Sequence, residues 1–554
     1  MGDARRSREF DRRDVLRAAA VLGIATPVLW RQTKATAATS PIGPQWIAFG
    51  PSPSTQMYLT WSLGSASAAL VTPKAPQVRW GPTTAYGNVQ AAGSSETVPL
   101  PAGATGDPSE NTVYSSVLLD SLAPGTTYHY SVSNDGVAWG PDATFTTAVA
   151  GISNFRFTAF GDEAISTSTA GQMVNLAAAQ HPAFHLVAGD LAYSTPEPLK
   201  YLDFAGFKPS QWDKYLAVVG PRGAQSIPWM ASVGAHEVEP LGNNGYAGFV
   251  TRFPQPYDAT SGSPVVHTFT YGNVAVIHLD GNDLSAQETV KTGYTQGAQT
   301  AWLAAQLAGY RAVGSGIDFV VVVCNCSCYS SNRNHGSDGG LRDVWGPLFD
   351  TYQVDLVISG HVHAYERTNP MRAGQPTRAV AAGGTVNPPV DGTTYICAGG
   401  GGNGLYKTWY GTTGSGDAGN TTAPKVWRWS GGDTATGGTG KSQDIKDTAK
   451  NFSAVRRGVY SCVVVDVTAP TVPGGETTLA IRTLMPAQSG SSITSIANPT
   501  VIDSITVVRT STVDPAPPDG KAHGKPARDR LVLGRPAQNR PTLPPYLRPS
   551  AAGR

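Results

Sequence analysis

The amino-acid sequence predicts an all-β sandwich followed by a larger α/β domain. Two observations predict this order. Residues 38–149 carry short β-rich runs separated by Gly, Pro, Ser and Asn turns, the pattern of an antiparallel sandwich. From Phe155 to about Gly404, apolar runs of buried-strand character alternate with segments of helical pattern, as in an α/β sheet. The length of 554 residues allows two or three domains.

The first domain is predicted to contain six strands, which are Trp46–Phe49, Met57–Ser62, Gln77–Trp80, Val113–Leu119, Thr127–Ser133 and Ala143–Thr147. The segment Leu122–Tyr130 carries a Pro-Gly pair ahead of Tyr128 and resembles the tyrosine-corner segment of fibronectin type III domains. We expect this domain to be a rigid spacer that packs on the larger one.

The α/β domain is predicted to cover residues 150–513. Its strands are expected at Phe155–Phe160, Phe184–Ala188, Pro228–Val233, Phe319–Cys324, Val354–Ile358 and Thr393–Ala398. Its helices are expected at Thr169–Gln180, Ser210–Val219, Thr295–Tyr310 and Gly340–Tyr352. A hairpin is expected to pair Val265–Tyr271 with Asn273–Asp280. Three closing strands are expected at Gly458–Val467, Thr477–Thr483 and Asp503–Thr510. The Gly- and Thr-rich segment Gly411–Gly440 is predicted to be a surface loop or lid.

Polar residues that can bind metals follow five of these strands. The segments are Gly161-Asp162-Glu163, Gly189-Asp190-Leu191-Ala192-Tyr193, Gly234-Ala235-His236-Glu237, Val322-Val323-Cys324-Asn325 and Gly360-His361-Val362-His363. The carboxyl ends of strands in such a sheet converge on one crevice, where ligands bind. Aspartates, histidines and a tyrosine brought to one crevice therefore predict a metal site.

The five segments resemble the motifs GDxG, GDxxY, GNH[DE], VxxH and GHxH, which occur in this order in the purple acid phosphatases, within the calcineurin-like metallophosphoesterases. The resemblance spans roughly residues 41–510. It implies an α/β (α/β/β/α sandwich) metallophosphoesterase domain behind a fibronectin type III-like N-terminal domain. The chain departs from the motifs twice, with Ala235 in place of Asn and Asn325 in place of His.

The resemblance implies two metal sites that share one aspartate. The first site would hold iron, with Asp162, Asp190, Tyr193 and His363 as its ligands. The second site would hold a divalent ion (Fe, Mn, Zn or Mg) with Asp190, His361 and the residues at the two altered positions. Alanine supplies no side-chain donor, and Asn325 offers only a neutral amide oxygen. We therefore expect the second ion to be hard, weakly bound or absent.

The resemblance also implies roles for residues around the metals. His236 matches the histidine that protonates the leaving oxygen, and His335 matches a histidine near the phosphate; these two are the predicted catalytic residues. Glu237, Glu366 and Arg367 are expected to lie behind the ligands or near the substrate, with the two glutamates orienting imidazoles. Glu163 is expected either to add a carboxylate or to lie at the surface. We interpret the remaining histidines near strands as structural; they are His181, His185, His267 and His278.

Residues 1–37 are predicted to be an export signal. Arg12 and Arg13 precede an apolar stretch, Ala18–Trp30, and small residues follow at Ala35-Thr36-Ala37. The paired arginines resemble a twin-arginine leader. The alternatives are a basic arm or a membrane anchor, but the stretch is short for a membrane span. We therefore expect a secreted or cell-envelope protein without stable membrane insertion.

Charge also separates the two ends from the body. The leader has a net charge of +4, and the Pro-rich tail over residues 514–554, which is predicted to be disordered, has +5. Since the whole chain is +2, the body between them is near −7. This acidic body argues against a nucleic-acid partner. The sequence does not predict the oligomeric state.

The leading hypothesis is an exported phosphomonoesterase of acid phosphatase type that hydrolyses small phosphate esters with a metal-bound hydroxide. One alternative is a catalytically silent phosphate- or envelope-binding protein that keeps the fold and one metal. Another is a phosphodiesterase, which would share the metal site and differ in the shape of the pocket. The presence of His236, His361 and His363 favours the enzyme.

Overall fold

The computed structural model describes residues 42–63, 74–98, 112–164, 168–195, 207–410, 426–430, 445–447, 449 and 451–513. The predicted leader (1–37) and tail (514–554) lie outside the described residues. Within the described ranges, no helix combines the length and the apolar character that crossing a membrane requires.

The N-terminal domain consists of two four-stranded sheets. Its strands are β1 Ile42–Phe49, β2 Met57–Leu63, β3 Gln77–Gly81, β4 Asn88–Ala91, β5 Ser94–Thr97, β6 Val113–Leu119, β7 Thr127–Ser133 and β8 Ala143–Thr146. The sheet orders are β1-β2-β6-β5 and β4-β3-β7-β8, with antiparallel pairing. All six predicted strands are present. Strands β4 and β5 were not predicted, because both are short and largely exposed.

Within the N-terminal domain, the hydroxyl of Tyr128 accepts a hydrogen bond from the Ala123 amide at 2.8 Å, which fixes the predicted corner.

The N-terminal domain packs against the α/β domain through aromatic side chains. The Phe49 ring lies 6.0 Å from that of Phe184, the first residue of an α/β-domain strand. The Trp46 indole donates to the Arg252 carbonyl at 2.8 Å. These contacts agree with the expected spacer packed on the larger domain.

The α/β domain contains nineteen strands in the described ranges. They are β9 Phe155–Phe160, β10 Phe184–Ala188, β11 Trp229–Ser232, β12 His267–Tyr271, β13 Val274–His278, β14 Phe319–Cys324, β15 Ser337–Asp338, β16 Leu356–Ser359, β17 Tyr365–Thr368, β18 Met371–Arg372, β19 Gln375–Pro376, β20 Gly384–Val386, β21 Thr394–Ala398, β22 Trp427–Trp429, β23 Ile445–Lys446, β24 Ser453–Arg457, β25 Cys462–Thr468, β26 Glu476–Ser489 and β27 Ser492–Thr510. The α-helices are α1 Ser168–Ala178, α2 Ser210–Val219, α3 Ala247–Arg252, α4 Ala298–Tyr310, α5 Gly339–Thr351 and α6 Pro388–Asp391. Shorter helical turns are Gly220–Ala224, Ala235–Glu237, Asn243–Gly245, Ala259–Ser261, Gly281–Asp283 and Thr289–Lys291.

Two seven-stranded sheets form the centre of this domain. Their orders are β11-β10-β9-β25-β26-β27-β20 and β12-β13-β14-β16-β21-β17-β24. Alternate residues of β14 enter different cores: Phe319, Val321 and Val323 pack in the core shared with the other sheet, whereas the residues between them pack with α4 and α5. Strand β10 alternates in the same way, and its outer face packs with α1 and α2. Helices therefore cover both outer faces, as the predicted α/β/β/α sandwich requires.

Most predicted boundaries agree with the structure to within a few residues, and three expectations need correction. The closing strands expected at Thr477–Thr483 and Asp503–Thr510 are longer, because β26 and β27 continue past them and pair with each other along a two-stranded ribbon.

The helix expected to begin at Thr295 begins at Ala298, because Gly297 has a left-handed φ of +83° that ends the preceding turn. The expected loop Gly411–Gly440 contains strand β22, which pairs with β15 and β23. Apart from residues 426–430, that segment lies outside the described residues.

Candidate metal centre

Five loops meet at the carboxyl ends of the parallel strands. Four of these loops carry Asp162 after β9, Asp190 after β10, Asn325 after β14 and His361 after β16, and the fifth follows β11 and carries Ala235 and His236. Non-glycine residues seldom adopt positive φ, yet Asp162, Asp190, Tyr193 and His361 have φ between +53° and +67°. Such strain persists only where the surrounding structure enforces it, and it is concentrated at functional sites. The loops are therefore shaped for the position of these side chains.

Three of the four predicted first-site ligands lie in mutual contact. The Tyr193 hydroxyl is 3.1 Å from His363 Nε2 and 3.3 Å from Asp162 Oδ1. His363 Nε2 lies 3.5 Å from the same carboxylate oxygen. Ligands that bind one ion at about 2.1 Å are about 3.0–3.4 Å apart along the edges of an octahedron or tetrahedron. The three atoms thus have the spacing of a coordination sphere.

The protonation of His363 suits a metal ligand. Its Nδ1 donates to the Gly404 carbonyl at 2.7 Å, which leaves the Nε2 lone pair facing Asp162 and Tyr193. Burial lowers the pKa of His363 to about 4, so the imidazole is neutral. A backbone carbonyl behind the imidazole is the usual way to fix the tautomer of a ligand histidine. Tyr406 stacks on the ring, with centroids 4.2 Å apart.

Asp190, the predicted shared ligand, is held by backbone contacts. Its Oδ1 accepts from the His236 amide at 3.0 Å. The Glu237 carboxylate accepts from the amides of Asp190, Leu191 and Gly234, each at 2.8 Å. Gly234 allows this close approach, because a Cβ there would lie 2.2 Å from Asp190 Oδ1.

The crowding of carboxylates favours a cation. Burial, followed by the charge of Asp190, raises the pKa of Asp162 well above its usual value. The same two causes, in the same order, raise the pKa of Glu237 to about 8. Burial alone would also raise the pKa of Asp190, but the imidazoles of His236 and His361 outweigh it and lower this pKa. A bound cation would stabilise the charged form of all three groups. The residues present therefore fit a metal ion at the first site.

The predicted second site is depleted where the family motif is altered. Ala235 is buried and carries no donor. Asn325 Nδ2 donates to the Ala188 carbonyl at 2.9 Å, and among the described residues its Oδ1 has no hydrogen-bond partner. That amide oxygen is the donor that the asparagine could offer to an ion. His361 Nδ1 lies 3.9 Å from Asp190 Oδ2, so it remains beside the shared carboxylate.

A second group of possible ligands lies on the other side of His361. Ligand atoms of Glu288, His335 and His361 all lie within 4.8 Å of one another. Glu288 precedes the short turn Thr289–Lys291 and is buried. Nothing in the sequence pattern pointed to Glu288, because it belongs to no strand-end motif and reaches the site only through the folded loop.

The two predicted catalytic histidines both line the centre. His236 is half-buried and packs against Tyr193, with the rings tilted by 36° and their centroids 4.2 Å apart. Its Nδ1 contacts the Thr195 carbonyl closely, which leaves Nε2 for proton exchange. His335 is half-buried and lies 4.2 Å, centroid to centroid, from His361. Tyr406, which the sequence did not indicate, contacts His335 through its hydroxyl at 3.3 Å.

Glu237, Glu366 and Arg367, which were expected to support the ligands or the substrate, contact other groups in the structure. Glu237 binds backbone amides instead of an imidazole, and Glu366 accepts from Ser330 and Ser331. Both expected imidazole roles are therefore corrected to roles in holding loops. Arg367 pairs with Asp503, with Nε–Oδ2 at 2.5 Å, so its role is structural and not substrate binding.

Glu163 also needs correction, because it is fully buried and not at the surface. Burial raises its pKa to about 8. Among the histidines interpreted as structural, His185, His267 and His278 are fully buried in strands β10, β12 and β13.

Comparisons with known proteins identify the family of the chain. Residues 46–147 match the family described as Purple acid Phosphatase, N-terminal domain, and residues 155–365 match Calcineurin-like phosphoesterase. An uncharacterized protein of Mycobacterium tuberculosis is 32% identical over 409 residues, covering 68% of this chain and 72% of that protein. A phosphoenolpyruvate phosphatase of Allium cepa is 27% identical over 303 residues, covering 52% and 56%. The structure of a purple acid phosphatase from yellow lupin seeds superposes with a TM-score of 0.58 at 17% identity, covering 84% of this chain and 75% of that one.

The lupin structure confirms the predicted fold class, and the two family matches confirm the resemblance that the motifs carried. The family consists of metal-dependent phosphoesterases that act on phosphate esters. The chain belongs to the calcineurin-like phosphoesterases, in the group that carries the N-terminal domain of the purple acid phosphatases.

Proposed function

We propose that the protein is an exported phosphomonoesterase of acid phosphatase type that uses one tightly bound iron and hydrolyses small phosphate esters. The observation that carries this proposal is the contact of Tyr193, Asp162 and His363 at 3.1–3.5 Å. A phenol, a carboxylate and an imidazole in this arrangement have little value as a core, since all are polar and two are fully or almost fully buried. Their spacing does suit an ion.

Iron is proposed because of the phenol. Burial, then the charges of Asp162 and Asp190, raises the pKa of Tyr193 far above its ordinary value. Only a strongly Lewis-acidic ion would release that proton near neutral pH. Ferric iron bound by a phenolate absorbs visible light, so the ligand can be observed directly.

The protein groups divide the work of ester hydrolysis. A bound ion would supply a more acidic water and charge stabilisation at the phosphoryl oxygens. Water adds to phosphorus, the bond from phosphorus to the ester oxygen breaks, and His236 in its imidazolium form would give its Nε2 proton to the departing alkoxide, because its Nδ1 is held by the Thr195 carbonyl. The proton that the attacking water loses then restores the imidazolium. Asp190 orients the backbone of that histidine through the amide contact of 3.0 Å.

Export is part of the proposal and rests on the leader sequence. Arg12 and Arg13 ahead of a modest apolar stretch suit the twin-arginine route, which carries folded proteins. A protein that acquires iron before crossing would benefit from that route.

A catalytically silent phosphate-binding protein is the second candidate. The observation that favours it is the depleted second site, with Ala235 in place of a donor and Asn325 bonded to the Ala188 carbonyl. A phosphodiesterase would share the centre and differ in substrate.

The test begins with iron content, the visible spectrum and hydrolysis of an aryl phosphate by the purified protein. We expect about one iron per chain and a visible band that Tyr193→Phe removes while the protein stays folded. His236→Ala should lower kcat by about 10²–10⁴-fold and leave the band unchanged. Bound iron without colour would refute Tyr193 as a ligand. An iron-loaded, coloured protein that hydrolyses neither aryl phosphomonoesters nor diesters would favour the silent binding protein.

A further inference from the structure

The loop over residues 282–292 brings a carboxylate to the depleted side of the centre. Glu288 is 7% exposed, and its Oε1 lies 3.9 Å from His361 Nε2. That nitrogen has no hydrogen-bond partner among the residues that the structure describes, although His361 is only 5% exposed. An imidazole nitrogen without a partner in a buried polar site is costly, and a bound cation would satisfy it.

The distances suit one ion with a modest adjustment. Ligand atoms of Glu288, His335 and His361 lie within 4.8 Å of one another. Atoms bound to one Zn²⁺ at about 2.0–2.2 Å are about 3.4 Å apart. His335 is half-buried and can supply the missing movement.

The charge of the group selects a cation over phosphate. His361 lies between two carboxylates, with Asp190 3.9 Å from its Nδ1 and Glu288 3.9 Å from its Nε2. Asp338 adds a third negative charge that acts on the same imidazole. A phosphate group beside His335, which is the role that the resemblance implied for this residue, would face this negative charge, whereas a divalent ion would be attracted by it.

The hydrogen bonds of His335 set a condition for binding. Its Nδ1 closely contacts the side-chain amide of Gln287, and its Nε2 lies 3.3 Å from the Tyr406 hydroxyl. Amide oxygen and nitrogen exchange places when the amide turns over. When the side-chain amide oxygen of Gln287 faces Nδ1 of His335, Nδ1 carries the proton and donates it to that oxygen. Nε2 of His335 then has a lone pair that can bind an ion.

We propose that Glu288, His335 and His361 form a replacement cation site, which takes Zn²⁺ in place of the ion that the altered family motif has lost. One carboxylate with two imidazoles is a donor set of zinc sites. The expectation of a hard, loosely held ion followed from Ala235 and Asn325, and this donor set changes it. Because Nδ1 of His361 faces Asp190 and Nε2 faces Glu288, the ion lies on the far side of the imidazole and shares no ligand atom with the iron site. The inference rests on the proposed function only for the presence of iron.

The test measures metals rather than turnover. Wild-type protein purified with Fe and Zn available should contain about one of each per chain. Glu288→Gln and His335→Ala should each weaken Zn²⁺ binding at least tenfold in a chelator competition, while iron content and the visible band persist. Glu96→Gln, on the exposed strand β5, is the matched control and should bind both metals normally.

Three outcomes separate this proposal from the proposed function. Iron without zinc in a hydrolytically active wild type would overturn the replacement site and leave the phosphatase intact. Zinc lost from both variants in a protein that hydrolyses nothing would support the site and count against the phosphatase. If the variants fail to fold, Co²⁺ bound to the wild type decides: paramagnetically shifted proton resonances from two Co²⁺-bound imidazoles support the site, and their absence overturns it.

Discussion

A single added methyl group at Gly234 should disable the centre. Gly234 has extended backbone angles, φ −112° and ψ −168°, which alanine adopts without strain. The added Cβ would lie 2.2 Å from Asp190 Oδ1 and 2.6 Å from the Asp190 amide nitrogen. Ordinary contact begins near 3.4 Å, so the carboxylate must move by about 1 Å. The perturbation is therefore steric and aimed at one ligand.

The size of the effect follows from that displacement. Moving a catalytic group by 1 Å typically costs about 10²-fold in rate, and overpacking a buried site costs about 1–3 kcal/mol of stability. We expect Gly234→Ala to lose at least about 10²-fold in kcat/KM for an aryl phosphate and to bind iron more weakly. Its free energy of unfolding, measured by urea denaturation, should be lower by about 1–3 kcal/mol.

The control is Gly309→Ala. Gly309 lies in helix α4 with no atom within 4 Å of the added Cβ. This variant should keep its iron and activity and gain about 0.5–1 kcal/mol of stability. Full iron content and unchanged activity in Gly234→Ala would refute the placement of Asp190 as a ligand.

Three further predictions concern the fold, the leader and the second site. Burial lowers the pKa of His267 to about 3. The unfolded chain therefore binds a proton below about pH 6.5 that the folded chain does not bind, and the free energy of unfolding decreases as the pH is lowered. Between pH 6.5 and 5, His267→Phe should lose about 2 kcal/mol less of this free energy than wild type in urea denaturation. Changing Arg12 and Arg13 to Lys should leave the protein in the cytoplasm, as measured by cell fractionation. Normal secretion of this double variant would indicate the general secretory route instead of twin-arginine export. Ala235→Asn with Asn325→His should restore ion binding at the second site of the family, beside Asp190, and raise turnover at least tenfold, with each change alone giving less, because both positions serve one ion; an ion bound there without faster turnover would contradict this.

Buried, continuous apolar runs made much of the fold predictable. The strands Phe155–Phe160, Phe184–Ala188 and Phe319–Cys324 have the predicted bounds, because all but the first two residues of Phe155–Phe160 are buried and each run ends where glycine or polar loop residues follow. Helix Ser210–Val219 was also predicted correctly. Strand Asn88–Ala91 was not predicted because all four of its residues are exposed, so it lacks the buried apolar alternation that marks a strand, although it pairs with the neighbouring strand Gln77–Gly81.

The site was predictable where residues follow strands and not where a loop folds over them. Tyr193 and His363 lie in contact as their motif positions suggest. Glu288 and Tyr406 reach the same centre from loops whose course depends on tertiary contacts, so no local pattern marked them. Glu237 was placed near the centre by its motif, but its three amide partners are set by backbone geometry that the sequence does not reveal.

An intact iron site should support phosphatase chemistry although the second site of the family is altered. The decisive experiment measures iron content per chain and hydrolysis of an aryl phosphate on the same wild-type sample. We predict about one iron per chain together with turnover that His236→Ala abolishes almost completely. A protein that holds its iron and leaves the ester uncleaved across pH 4 to 8 would show that this site does not support hydrolysis.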